Sequence, residues 1–149
     1  HQRANAAVAV AALDRLREAG MHVPAAAVAR GLAEVRWPAR VEVIRERPAV
    51  VLDTAHNVPS AEALVSTLRE AFPGVEARRV VFAVSSDKPW ADMLRALAGY
   101  FTHFHLTKYS NNPRGVSPDQ LSAVLADVAP GAAFSAHPTA PEAWRAARA

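Results

Sequence analysis

Asp53, Thr54, His56 and Asn57 stand within five residues of one another, and their types suit work on an anion or a sugar. A carboxylate such as Asp53 can accept from a ribose hydroxyl or hold a cation; equally, it can fix a turn or cap a helix. A neutral imidazole at His56 could donate to a phosphate or serve only to tie the turn. Asn57 suits side-chain-to-backbone bonding within the turn. Asp87-Lys88 repeats the arrangement on a second polar turn, as a capping acid with a solvated lysine or as a pair that meets substrate. Arg114 sits among five consecutive turn-formers, Asn111-Asn112-Pro113-Arg114-Gly115, in a loop that covers a ligand or leaves the guanidinium in water. His103 and His105 alternate along one strand and share a face, but two metal ligands without a third make a poor site. No GxGxxG, GxxxxGK[ST] or nucleophile elbow occurs, so the chain alone has no visible machinery for phosphoryl transfer.

These residues need scaffolding, and the pattern around them supplies it. Ala49 to Asp53 reads as a strand buried on both faces. Pro59 suits a first helical turn, and Ala61, Leu64, Val65, Leu68 and Phe72 recur at helical spacing after it. Asp53 and His56 therefore lie between the carboxyl end of a strand and a helix start, where open α/β sheets bind ligands and where free N–H groups favour an anion. Arg79 to Val84 reads as a second buried strand leading through Ser85-Ser86-Asp87-Lys88-Pro89 into a helix with Met93, Leu94 and Leu97. Thr102 to Thr107 is a third. Ser117-Pro118-Asp119-Gln120 is a capping box opening a helix through Leu121, Val124 and Leu125. A short strand near Ala132 to Ser135 and a helix from about Pro141 end the chain. Val41 to Arg47 alternates apolar and charged residues, and its closeness to Ala49 to Asp53 predicts an antiparallel pair. Strands alternating with helices imply an α/β fold with a mostly parallel sheet and helices on both faces.

Upstream, Asn5 to Ala19 is apolar nearly all round, which predicts burial on more than one side, and Gly20 ends it. Pro24 opens a second helix with Val28, Leu32 and Val35 on one face. Trp37-Pro38 breaks the pattern and places a junction around Arg36 to Ala39. The chain opens at His1 without methionine, so the expectation is a fragment whose upstream part is missing. A length of 149 residues, 51% hydrophobic and 21% charged, is ordinary globular composition without a membrane-length apolar run. With no cysteine, neither a disulfide framework nor a thiolate metal site exists, and a cytoplasmic setting is expected. A net charge of +3 from scattered arginines gives little support to nucleic-acid binding and suits an anionic small molecule.

Arg40-Val41-Glu42 followed by Asp53-Thr54-Ala55-His56-Asn57 resembles the carboxy-terminal domain of the folylpolyglutamate synthase/dihydrofolate synthase family of ATP-dependent Mur ligases. That family reads G-R-x-E and D-G-A-H-N, and Ala39 and Thr54 replace its glycines. His1-Gln2-Arg3-Ala4-Asn5-Ala6 is similar to the H-Q-x-x-N-A of the family's central ATPase domain. Ser86-Asp87-Lys88 with Met93-Leu94 is similar to its D-K-D…M-L segment, and Asn112-Pro113-Arg114 to its N-P-R loop. The resemblance implies two helices from the central domain at 1–38 and a Mur-type carboxy-terminal domain at 39–149. That domain is Rossmann-like, with about six strands, one of them antiparallel.

The resemblance also implies roles. Asn5 matches the residue near the adenine, Arg40 the arginine that reaches the ATP phosphates, Asp53 the acid on the ribose, and His56 the histidine near the phosphates. Asp87, Lys88 and Arg114 would make substrate or domain-closure contacts. The implied reaction joins glutamate to folate or dihydropteroate: ATP phosphorylates the substrate carboxylate, the glutamate amine attacks the acyl phosphate, and phosphate leaves. Mg²⁺ ligands, the phosphate loop and most of the folate pocket would lie upstream, leaving no metal site and no complete catalytic set here. Two alternatives stand beside this reading: a sibling Mur-type amino-acid ligase domain, and a Rossmann-like binding module without chemistry.

Overall fold

The computed structural model describes residues 2–149; His1 and the side chains of Gln2 and Arg3 lie outside what it describes. Two compact units divide the chain, one ending at Leu52 and the other Asp53–Ala149.

The first unit begins with α1 (Gln2–Glu18), closed by Gly20 at φ +91°, a left-handed end that glycine adopts without steric cost. Arg17 pairs with Asp14 and also donates to the Val23 carbonyl at 2.7 Å, tying α1 to the segment before α2 (Ala25–Glu34). The expectation that α1 is buried on more than one side fails within this unit. Val8 is 70% exposed, and α2 buries no residue at all, because two short helices have too little surface to enclose each other.

β1 (Glu42–Glu46) and β2 (Ala49–Leu52) then pair antiparallel, as their spacing predicts, with a bulge between Val43 and Arg45. β2 does not become a strand buried on both faces. Val50 and Val51 are half-buried and Leu52 is 44% exposed, since a two-stranded ribbon has no inner strand. At the entrance to β1, Ala39 and Val41 take φ +53° and +50°, left-handed values on either side of Arg40. Ala39 thus occupies a conformation that glycine adopts more cheaply.

The second unit holds the core. α3 (Val58–Ala71), β3 (Arg79–Phe82), α4 (Trp90–Ala98), β4 (His103–Leu106), α5 (Pro118–Val128), β5 (Ala133–Ala136) and α6 (Ala140–Arg148) alternate along the chain. The three strands form a parallel sheet in the order β3-β4-β5. The expected single sheet of about six strands is therefore corrected: the described residues form five strands in two sheets, matching the five strand-length runs in the sequence. Helices α3, α4 and α5 pack side by side, and both α5 and α6 lie on the sheet. Arg79 shares a side with His103 and His105 by strand alternation and donates to the Ala147 carbonyl of α6 at 3.0 Å, which places α6 over that side. Phe104 and Leu106 point the opposite way and are wholly buried, as are Leu94, Leu121 and Leu125. Each such side chain contributes about 1.5–3 kcal/mol by leaving water. The helical faces fall as their periodicity predicts, with Ala61, Val65 and Leu68 buried on α3 and Met93, Leu94 and Leu97 on α4.

Candidate functional site

Several hydrogen bonds inside eight residues shape the strand-to-helix turn at Asp53. Asp53 Oδ1 accepts from the Ala55 N–H at 2.7 Å, which tightens the turn directly after β2. The His56 ring meets the Thr54 carbonyl at 3.2 Å through Nδ1. A carbonyl can only accept, so Nδ1 carries the proton and a neutral His56 presents Nε2 as an acceptor. With the ring held this way, donation from Nε2 to a phosphate uses the imidazolium form.

Helix α3 opens with a reciprocal cap. Asn57 Oδ1 accepts from the Ser60 N–H at 2.9 Å, and Ser60 Oγ accepts from the Asn57 N–H at 3.1 Å and from the His56 N–H at 3.0 Å. Its own proton goes to the Asn57 carbonyl at 2.9 Å. Asn57 is structural, as its type suggests, and Pro59 sits in the first turn. Ser60 carries as much of the geometry as any residue singled out in the sequence, yet it was absent from the candidates. Asn57-x-x-Ser60 is a capping box with serine in the position usually held by Glu or Gln, and that spacing was the available signal.

The second polar turn, after β3, faces the first. Asp53, Thr54, Ala55, His56, Val81, Ala83, Val84, Ser85, Lys88 and Tyr109 line one crevice of about 420 Å³ at the carboxyl ends of the parallel strands. Helix α3 starts beside His56 and α4 beside Lys88, so two helix N-termini flank it. The first turn of α4 receives no side-chain cap; its Trp90 N–H donates to the Lys88 carbonyl at 2.8 Å, which leaves the Ala91 and Asp92 N–H groups for water or an anion. Tyr109 donates to the Ala83 carbonyl at 3.1 Å and walls one side. Tyr109 and Ser85 were not among the sequence candidates; their places just past strand ends were the clue that could have found them.

Asp87 and Lys88 form an ion pair at 2.8 Å. The Lys88 hydrogen bond holds the Asp87 carboxyl below the usual carboxylate range, with the charges of Lys88 and Arg114 adding to it. The loop carrying Arg114 is fastened to this turn: the Ser86 N–H donates to the Arg114 carbonyl at 2.8 Å, and Asn112 Nδ2 donates to Ser85 Oγ at 3.2 Å. Gly115 bridges to Ser85, and a Cβ on it would come within 3.3 Å of the Asn112 carbonyl oxygen, which suits a residue without a side chain.

The second unit thus brings together Asp53, His56 and Lys88 on one crevice, with Asp87 and Arg114 at its edge. Asn5, on α1, and Arg40, on the turn before β1, belong to the first unit. His103 and His105 face away from Phe104 and Leu106 and meet Ser135 and His137. Among the described residues no group of three or more His, Cys, Asp or Glu side chains is arranged to hold a metal ion. Nor is any helix among them long and apolar enough to cross a membrane. A second hollow of about 340 Å³ beside α3 and α4, lined by Val58, Glu62, Asp92, Arg95 and Ala96, already contains an Asp92–Arg95 ion pair.

Residues 39–149 match the family model described as "Mur ligase, glutamate ligase domain". The chain is 34% identical over 110 residues to the dihydrofolate synthase/folylpolyglutamate synthase of Bacillus subtilis, a match covering 73% of this chain and 25% of that protein. Its fold superposes on E. coli FolC in complex with DHPP and ADP with a TM-score of 0.80 at 30% identity, over 97% of this chain and 32% of the other. It is also similar to the Yersinia pestis bifunctional folylpolyglutamate synthase/dihydrofolate synthase complexed with AMPPNP and Mn ion (TM-score 0.72, 29% identity, 92% of this chain and 31% of the other). The chain spans about a quarter to a third of the length of these relatives. By the match over residues 39–149, the chain belongs to the Mur ligase family and carries its glutamate ligase domain.

Proposed function

We propose that the chain is the carboxy-terminal part of an ATP-dependent ligase that adds glutamate to folate or dihydropteroate through an acyl phosphate. The observation that carries this is the crevice in which Asp53, His56 and Lys88 converge between two helix N-termini. A nucleoside triphosphate suits that chemistry: an acid for a ribose hydroxyl, and an imidazolium, a lysine and free N–H groups for anionic oxygens.

In this reading Asp53 accepts from the ribose and His56 donates to a phosphate from Nε2. Arg40 would reach the phosphates and Asn5 would lie near the adenine. Lys88, steadied by Asp87, and Arg114 meet the substrate or the ATPase domain as it closes. The boundary would fall at residue 38, with 1–38 belonging to the central ATPase domain and 39–149 to the Mur-type domain. A cytoplasmic setting follows from the same reading. The relatives' nucleotide and Mn complexes support a divalent ion in the reaction, with Mg²⁺ as the physiological choice. In this reading the ligands of that ion come mostly from the upstream ATPase domain. The domain's contribution is to position and to neutralise charge while water is excluded.

ADP release by the intact protein tests this, with ATP, Mg²⁺ and glutamate plus either dihydropteroate or tetrahydrofolate. Release that needs glutamate and one of the two pterins is expected. Release with neither, from a folded protein that binds ATP, moves the acceptor elsewhere in the Mur ligase family and removes the folate assignment.

A further inference from the structure

Three imidazoles and one hydroxyl meet on the α6 side of the sheet, away from the crevice. Ser135 Oγ lies 3.1 Å from His103 Nε2, 3.1 Å from His105 Nδ1 and 2.9 Å from His137 Nε2. His105 Nδ1 and His137 Nε2 are themselves 3.3 Å apart. The rings form a tilted stack, with centroids 4.4 Å apart for His103 and His105 and 5.5 Å for His105 and His137. His105 is 6% exposed, and its Nε2 has no hydrogen-bond partner.

Proton counting limits this cluster. A hydroxyl has one proton to give and two lone pairs to accept with, so at least one of the three facing nitrogens must be unprotonated. The His105–His137 contact likewise needs one donor and one acceptor. Three imidazolium rings would aim three N–H groups at one oxygen and leave its proton without an acceptor. A doubly protonated His105 would also bury an N–H without a partner.

Among the described residues no acidic side chain pairs with the cluster. From β3, Arg79 lies in register with His103. From α6 come Glu142, Arg145 and Arg148, and from α5, on the other side, Asp119 and Asp127. Among the described residues no ion pair joins any of them to a cluster imidazole. Two of the linked strands are β4 and the edge strand β5, which has a neighbour on one side only.

We propose that His103, His105 and His137 around Ser135 form an acid-sensitive latch that fastens the edge strand β5, and α6 after it, to β4. Protonation breaks the shared hydroxyl network, puts like charges beside Arg79 and lets this carboxy-terminal segment open while the α3–α4 layer stays folded. Burial first, then the neighbouring charges of His103, His137 and Arg79, bring the His105 pKa down to about 4. In the opened chain the same group protonates near its ordinary value of about 6.5. The open form therefore holds one more proton between these values. Above about pH 6.5 the opening constant does not change with the protonation of His105, and it rises about tenfold for each unit of acidification from there down to about pH 4.

The test is hydrogen exchange on the intact protein between pH 7.5 and 4.5, corrected for the intrinsic rate, together with NMR titration of the histidine ring protons. Peptides covering 131–149 should lose protection about tenfold per pH unit below 6.5, while peptides of 58–71 and 90–98 keep theirs. In His105→Gln, which cannot titrate, the slope should flatten. Equal acid sensitivity in all these peptides, or an unchanged slope in His105→Gln, overturns the proposal. So does a His105 midpoint at or above pH 6 in the unsubstituted protein, a result that stands even if the variant fails to fold.

Discussion

Replacing Ser60 with alanine removes one oxygen that serves three hydrogen bonds: it accepts from the His56 and Asn57 N–H groups and donates to the Asn57 carbonyl. The His56 bond is exposed and water can take it over, so it adds little. The part-buried Asn57 N–H loses its partner and half of the reciprocal cap is gone. Each such loss costs about 1 kcal/mol, which gives about 1–2 kcal/mol for the variant. That is a drop of roughly 5–30-fold in the folded-to-unfolded ratio, and a melting temperature lower by about 4–8 °C per kcal/mol in a unit of this size. Because the same bonds hold His56 and Asn57 in place beside Asp53, the Kd for ADP should rise as well, by about tenfold if about 1.4 kcal/mol of preorganisation is lost. Ser60→Thr, which keeps the hydroxyl, should stay close to the parent in both respects. Thermal melting followed by circular dichroism, with calorimetric titration of ADP, reads both effects. An alanine variant that melts within about 1 °C of the parent and binds ADP equally well would refute the claim that Ser60 organises the turn.

Two other substitutions should raise stability. Ala39→Gly relieves a left-handed residue (φ +53°) and should stabilise by about 0.5–1 kcal/mol net of the added chain entropy, read from the midpoint of urea unfolding. Thr107 is 1% exposed and its Oγ1 has no partner among the described residues. Thr107→Val should therefore stabilise by about 1 kcal/mol, visible as a higher melting temperature at unchanged m-value.

What the sequence made legible was local. The α3 and α5 starts were readable because Asn57, Pro59, Ser117 and Gln120 are chemically committed to helix ends. Buried faces followed from the 3.6-residue period of Ala61, Val65 and Leu68. What stayed hidden depends on partners distant in sequence. The burial of Ala49 to Asp53 was misjudged because an apolar run states a preference for cover without saying what provides it. The convergence of Ser135 and His137 on His103 and His105 was invisible, because it needs the parallel register of β4 with β5, which no pattern within either strand encodes. The Asp53–His56 crevice was legible as one half only: its other wall, Ser85, Lys88 and Tyr109, comes from two later strand ends.

Hydrogen bonds between residues two to four apart shape the Asp53 turn, whereas the sheet beneath it pairs strands separated by whole helices. In folding terms the two have very different contact orders. Loops of this size close in well under a microsecond, while parallel strands must first meet the entropy of long chain closures. The ligand-facing contour should therefore be sampled early, on a chain whose sheet has not yet assembled. Slow folding would then delay the rigid platform under that contour more than the contour itself.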